Sequence, residues 1–186
     1  RKEGFYFIHN GQIPFTVTPP NAAKAGHINA ITSIGASSKK DENYKIGKFG
    51  IGFKSVFQYT QTPYVYDENV AFRIRDLIVP ELLDESSHPM RGKDETLFYF
   101  PFNHEKKEAK TAHFEIQSRL EVLRFPLLFL NNLTEIRWET DLTSGFYKIE
   151  IEPQKGQKTQ KDFTKDVVFL KSIKQVGNKK KERKFC

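Results

Sequence analysis

The sequence predicts an α+β fold: a two-layer α/β sandwich with a mixed, mostly antiparallel sheet and helices on one face. Three observations predict it. Strand-like and helix-like patterns alternate along the chain without an internal repeat. Aromatic residues reach 13% with 17 Phe, enough large apolar side chains in 186 residues for one ordinary core. A glycine-rich break, Gly47, Gly50 and Gly52, leads directly into helical spacing.

The elements follow in order. Phe5, Phe7 and His9 alternate with Tyr6, Ile8 and Asn10, a short and largely buried strand. Gly11 to Pro14 makes a turn. Thr18-Pro19-Pro20 caps and opens a helix with Ile28 and Ile31 on its inner face. Residues 35–47 lose periodicity in the polar stretch Ser37 to Asn43. A second helix starts near Gly50 to Gly52 and turns Phe53, Val56 and Phe57 inward. Strands follow around 64–66 and 71–74. Residues 76–95, with Pro80, Pro89 and Gly92, read as a loop. Thr96 to Phe102 reads as a buried strand, and 103–110 as a charged, exposed stretch. Ile116, Leu120, Leu123 and Leu127 place a helix over 114–129, interrupted by Pro126. Leu133 to Trp138 and Phe146 to Ile151 flank a hairpin turn at 141–145. A polar loop over 153–161 and a strand over 166–176 complete the pattern.

Charge narrows the function classes. The net charge is +7, but seven of the 30 basic side chains lie in residues 171–186 against Glu182 alone. That surplus of six leaves +1 for residues 1–170. The basic run therefore reads as a tail, a solvated linker toward a neighbouring domain or a nucleic-acid contact. The division expected is a domain over 1–152 and a trailing strand with basic tail over 153–186. No stretch approaches the roughly 20 apolar residues of a membrane-spanning helix. Arg1-Lys2-Glu3-Gly4 carries no apolar signal core, so the chain reads as a piece of a longer, cytoplasmic protein. The single cysteine, Cys186, excludes an internal disulfide and a cysteine-built metal site.

The chemistry concentrates in Gly47-Lys48-Phe49-Gly50-Ile51-Gly52-Phe53-Lys54-Ser55. Its glycines allow close backbone approach, and the free N–H groups of the following helix favour an anion such as phosphate. The Gly-Lys-Ser/Thr ending of a P-loop is absent, and no strand directly precedes the glycines as a dinucleotide fingerprint requires. The same glycines also suit plain tight turns.

Residues 46–57 closely resemble the second glycine motif of the GHKL superfamily of ATPases, whose domain is the Bergerat fold. They are most similar to the ninety-kilodalton heat-shock chaperones and the ATPase-like repeats of sacsin. Three further segments are similar and fall in the family's order. His9-Asn10-Gly11 stands where the family has Asp-x-Gly. Residues 28–39 look like the start of the ATP lid. Thr96 to Pro101 looks like the Gly-Thr strand motif, with Glu95 in place of its glycine. The resemblance covers residues 5 to about 140 and favours the sacsin-like branch.

The resemblance implies an ATP or ADP site. Backbone amides around Gly47, Lys48, Phe49, Gly50, Ile51, Gly52 and Phe53 would contact the phosphates, with Lys54 in reach of one. Ser37, Ser38 and Lys39 would close over them with the lid. Asn29 would approach the ribose or a phosphate, and Thr96 would hydrogen-bond near the adenine. The family's base-reading Asp is replaced by His9 or, with a one-residue shift, by Asn10. A neutral His accepts through one ring nitrogen and Asn through its carbonyl oxygen, so either can take the adenine amino group. The family's catalytic Glu and its Mg²⁺-binding Asn sit on a helix before the first motif. Only eight residues precede His9, so that helix, with the Mg²⁺ ligand, is expected upstream of residue 1 or has been lost. No catalytic residue is assigned within the chain, and Asp41, Glu42 and Asp67 read as solvated loop charges. The function expected is a nucleotide-gated, chaperone-like switch acting on other domains of its parent. The alternatives are a non-hydrolysing interaction module, or nucleic-acid binding through the basic tail.

Overall fold

Residues 1–19, 22, 26–32, 52–128, 130, 132–153 and 168–185 are described by the computed structural model. The chain divides into two compact units, Arg1–Phe114 and Glu115–Cys186. The architecture is α+β, with antiparallel sheets and few helices, as the patterning predicts.

The first unit holds a five-stranded antiparallel sheet in the order β1-β5-β2-β3-β4. Its strands are β1 (Gly4–His9), β2 (Tyr64–Tyr66), β3 (Ala71–Arg75), β4 (Val79–Leu82) and β5 (Thr96–Pro101). Pairing of Phe5 with Phe100, Phe7 with Phe98 and His9 with Thr96 sets these six side chains on one face, because alternate residues of a strand share a face. Val65, Phe72 and Ile74 continue that face. Helix α1 (His27–Thr32) covers it with Ile28 and Ile31, as the spacing predicts. Phe53, Val56 and Phe57 also pack there, but from a 3-10 helix, Phe53–Gln58, instead of an α-helix. Ser55 explains part of this, since its hydroxyl donates to the Gly52 carbonyl (2.8 Å) and competes with α-helical pairing. Phe72, Ile74, Leu97 and Val65 are fully buried, each contributing about 1.5–3 kcal/mol.

The opposite sheet face carries Tyr6, Tyr64, Tyr66 and Tyr99 around Leu97 and Ala71. Tyr6 and Tyr99 stack at 4.5 Å, and His88 lies against Tyr6, Tyr66 and Tyr99. Burial pushes the Tyr99 hydroxyl up to about 12. His88 comes from the segment read as loop, and that segment also contains β4. Pro80 is compatible with β4 because β4 is the sheet edge, where no ladder donor is required. The β3–β4 turn closes with Ile78 N–H donating to the Arg75 carbonyl (3.2 Å). Its central residues, Asp76 and Leu77, have φ of 52° and 69°, the left-handed pair of a tight hairpin turn.

In the second unit, β6 (Glu135–Glu139), β7 (Ser144–Pro153), β8 (Val168–Val176) and β9 (Lys179–Phe185) form a four-stranded antiparallel sheet in chain order. The first three match expectation closely. The fourth corrects it: the lysine run read as a tail is an ordered edge strand paired with β8 along its whole length. Helix α2 (Ala109–Val122) starts earlier than its apolar spacing suggests, and Phe114 is 69% exposed. The helix ends at Val122, short of the expected stretch to 129, with Pro126 beyond its end. Leu120 then packs with Leu127, Trp138, Tyr147 and Ile149. Two carbonyls of the last turn are satisfied by side chains: Tyr147 Oη donates to Leu120 O, and Lys174 Nζ to Glu121 O.

Candidate functional site

The candidate site lies where β1 ends and β5 begins. The sheet register sets His9 beside Thr96. Thr96 is 2% exposed, and its hydroxyl donates to Asp67 Oδ2 at 2.6 Å. Asp67 is 3% exposed, and its Oδ1 accepts the Phe15 N–H at 3.0 Å. The reading of Asp67 as a solvated charge is therefore wrong. It follows β2 in a short turn, closed by its own N–H on the Val70 carbonyl (3.0 Å). Two donors from distant parts of the chain hold its carboxylate where water would otherwise be required.

His9 sits at the edge of this group. Its Nδ1 accepts the Gly11 N–H at 3.1 Å. A neutral ring held this way carries its proton on Nε2 and offers a donor, whereas accepting an amino group needs a free ring nitrogen. A side chain at Gly11 would sit 3.0 Å from that Nδ1, so the glycine is what lets the ring fold back. Burial lowers the His9 pKa, and the Asp67 charge only partly opposes it. Burial lowers His88 likewise. The unfolded chain then binds more protons than the fold between the ordinary imidazole value of 6.5 and the lower folded values. Stability is full above about pH 6.5 and falls as pH drops through that window. Urea midpoints at pH 7.5 and 5.5 are expected to fall in that order, with a smaller drop in His9→Gln/His88→Gln.

Phe98 joins the parts of the site. Its ring lies 5.9 Å from His9, 5.8 Å from Phe15 and 6.1 Å from Phe53. Phe53 is thus a core residue by its side chain, at the head of the 3-10 helix. Gly52 precedes it with ordinary right-handed angles (φ −59°, ψ −50°), and among the described residues a Cβ there would meet nothing within 4 Å. Neither its backbone angles nor packing among the described residues requires glycine at 52. Lys54 is partly exposed in the same turn, and Asn10 is exposed beside His9.

Asn29 is tied to the chain itself. Its Oδ1 accepts the Thr18 N–H (2.9 Å) and its Nδ2 donates to the Thr18 carbonyl (3.0 Å). This doubly bonded amide fastens α1 to the segment that Phe15 anchors on Asp67. Ser37, Ser38, Lys39, Gly47, Lys48, Phe49, Gly50 and Ile51 lie outside the described residues, as do Asp41 and Glu42. Among the described residues, no group of three or more His, Cys, Asp or Glu is placed to hold a metal ion. No described helix is long and apolar enough to cross a membrane.

A family model of the Sacsin domain matches residues 24–185. The chain belongs to the Sacsin-domain family. No curated protein and no solved structure matches it. The Sacsin-domain match takes in Asp67, Thr96 and Phe98 together with the four strands of the second unit. Asp67 gave no signal in the sequence, because Asp67-Glu68-Asn69 between two strands has the composition of any polar turn.

Proposed function

We propose that this Sacsin-domain chain is a GHKL-type module that binds ATP or ADP, with the phosphates at the glycine segment ending in Gly52 and the base at the His9–Thr96 end of the sheet. The observation that carries the reading is Gly52. It is a glycine that neither its angles nor packing among the described residues explains, at the end of a motif resembling the superfamily's phosphate loop. A bare backbone is useful there if a ligand must approach it. The shared contact of Phe98 with Phe53 and His9 supports the reading, since it brings the two halves of the site onto one ring. The Asp67–Thr96 pair gives the base end a rigid polar floor.

In this reading, the lid residues Ser37, Ser38 and Lys39 close over the phosphates and convey the nucleotide state to other domains of a cytoplasmic, chaperone-like parent. Mg-ATP hydrolysis is proposed only together with an upstream helix supplying Glu and the Mg²⁺-binding Asn. His9 favours binding with relaxed base choice, because its Nε2–H donates where the superfamily's carboxylate accepts.

Isothermal titration with ATP and ADP tests this. The unaltered chain is expected to bind saturably. Gly52→Ala is expected to keep or raise its unfolding free energy, by up to about 1 kcal/mol, while affinity falls at least about tenfold, or about 1.4 kcal/mol. Absence of saturable binding, or a Gly52→Ala variant that binds like the parent, rejects the reading.

A further inference from the structure

The charges of the β8–β9 hairpin are sorted by face. Lys171, Lys180 and Glu182 share one face of the sheet with Lys148 and Glu150, since directly paired residues point the same way. These five form a connected ion-pair network: Lys148 and Lys171 on Glu150, Lys171 and Lys180 on Glu182. The other face of β9 carries Lys179, Lys181 and Arg183, all exposed, and no acidic residue of β8 or β9 lies on it. Lys174 shares that face but is committed to the carbonyl of Glu121 and to the ring of Tyr147 (5.4 Å). Same-face residues on a strand are about 7 Å apart, so the three remaining cations form a straight stripe.

Aromatic rings stand at its end. Arg183 lies over the Phe125 ring at 5.4 Å, and Phe125 meets Phe185 edge-to-face at 4.8 Å. Phe125 holds φ at 49°, a left-handed angle that is strained for a non-glycine residue. A row of cations without an ion-pair partner among the described residues, ending on partly exposed aromatic rings, fits an extended polyanion with flat, stackable groups.

We infer that this face of β9 binds single-stranded nucleic acid, with Lys179, Lys181 and Arg183 on the phosphates and Phe125 and Phe185 against a base. Charge attracts any polyanion; the rings favour one that carries bases over an acidic peptide. This surface is independent of the nucleotide site proposed above. Edge-strand lysines also deter edge-to-edge pairing, but that role is blind to which face carries the charge.

Two variants with equal charge change separate these roles. Fluorescence anisotropy of an oligothymidylate about 20 nucleotides long is measured from about 50 to about 200 mM salt. The unaltered chain is expected to show a slope of log affinity against log salt of about −2, for three phosphate contacts on a single strand. Lys179→Glu/Lys181→Glu is expected to abolish binding, and Lys179→Gln/Lys181→Gln to reduce the slope to about −0.7. Lys180→Glu/Lys184→Glu, on the ion-paired face, is expected to bind within about threefold of the parent. Unchanged fluorescence of Trp138, the one tryptophan, verifies folding of each variant. Equal losses in both Glu variants, no oligonucleotide binding, or preference for a polyglutamate peptide over the oligonucleotide overturns the inference. Failure of ATP binding leaves it untouched.

Discussion

Asp67→Ala is expected to destabilise the first unit by about 3–5 kcal/mol. The carboxylate satisfies two buried donors, the Phe15 N–H and the Thr96 hydroxyl. Removing it leaves both unpaired at about 1–3 kcal/mol each and adds a small cavity. Breaking the Phe15 contact also frees the segment that fastens α1 through Thr18 and Asn29. Thr96→Val is milder, because it deletes one donor and keeps the shape. In a double-mutant cycle, Asp67→Ala and Thr96→Val are expected to couple by more than about 1 kcal/mol. Urea unfolding of the four proteins measures it. A cost below about 1 kcal/mol for Asp67→Ala means that water already solvates the carboxylate.

Gly145→Ala is expected to cost about 3 kcal/mol or more and to disrupt the second unit's sheet. Gly145 lies on β7 between Trp138 of β6 and Val176 of β8. An added Cβ would stand 2.3 Å from the Gln175 carbonyl oxygen and 2.6 Å from the Trp138 ring. A backbone carbonyl in a paired strand cannot step aside, and Trp138 is itself 7% exposed. Overpacking of this kind costs about 1–3 kcal/mol where neighbours give and more where they cannot. Trp138 reports it directly: its emission is expected to shift to the red at lower urea in the variant. Matching unfolding curves for parent and variant overturn the packing argument. The contrast with Gly52→Ala is instructive. Both replace a glycine, but only at 145 is the space already full.

Much of the fold was legible in the residues. The strands at Phe5 to His9, from Thr96 and around Tyr64 and Ala71 read correctly as strands because alternate side chains share a face, but the first is less buried than expected, with Phe7 43% exposed. Ile28 and Ile31 read correctly for the helical period. α2 ends at Val122, before the break that Pro126 imposes, and does not resume to 129 as its apolar spacing suggested. The errors have physical causes of their own. Pro80 and its neighbours hid β4, since an edge strand needs no unbroken apolar pattern. The lysines of β9 hid it equally, because a strand with neither face in the core has no hydrophobic period to detect. Phe53, Val56 and Phe57 fit both a 3-10 and an α-helical turn, and their spacing did not distinguish the two.

At the candidate site, local pattern sets the residue types: a glycine-rich segment before a helix, and a strand-end histidine followed two residues later by glycine. Those are local facts, fixed by steric freedom and short-range spacing. The burial of Asp67 follows from long-range contacts, because its two donors are 52 residues before it and 29 after it in the chain. The fold likewise decided that His9 keeps its proton on Nε2, through a backbone hydrogen bond no pattern announces. It also decided which face of β9 carries the cations that find no ion-pair partner among the described residues. Composition counts charges, whereas pairing register determines which of them find a partner.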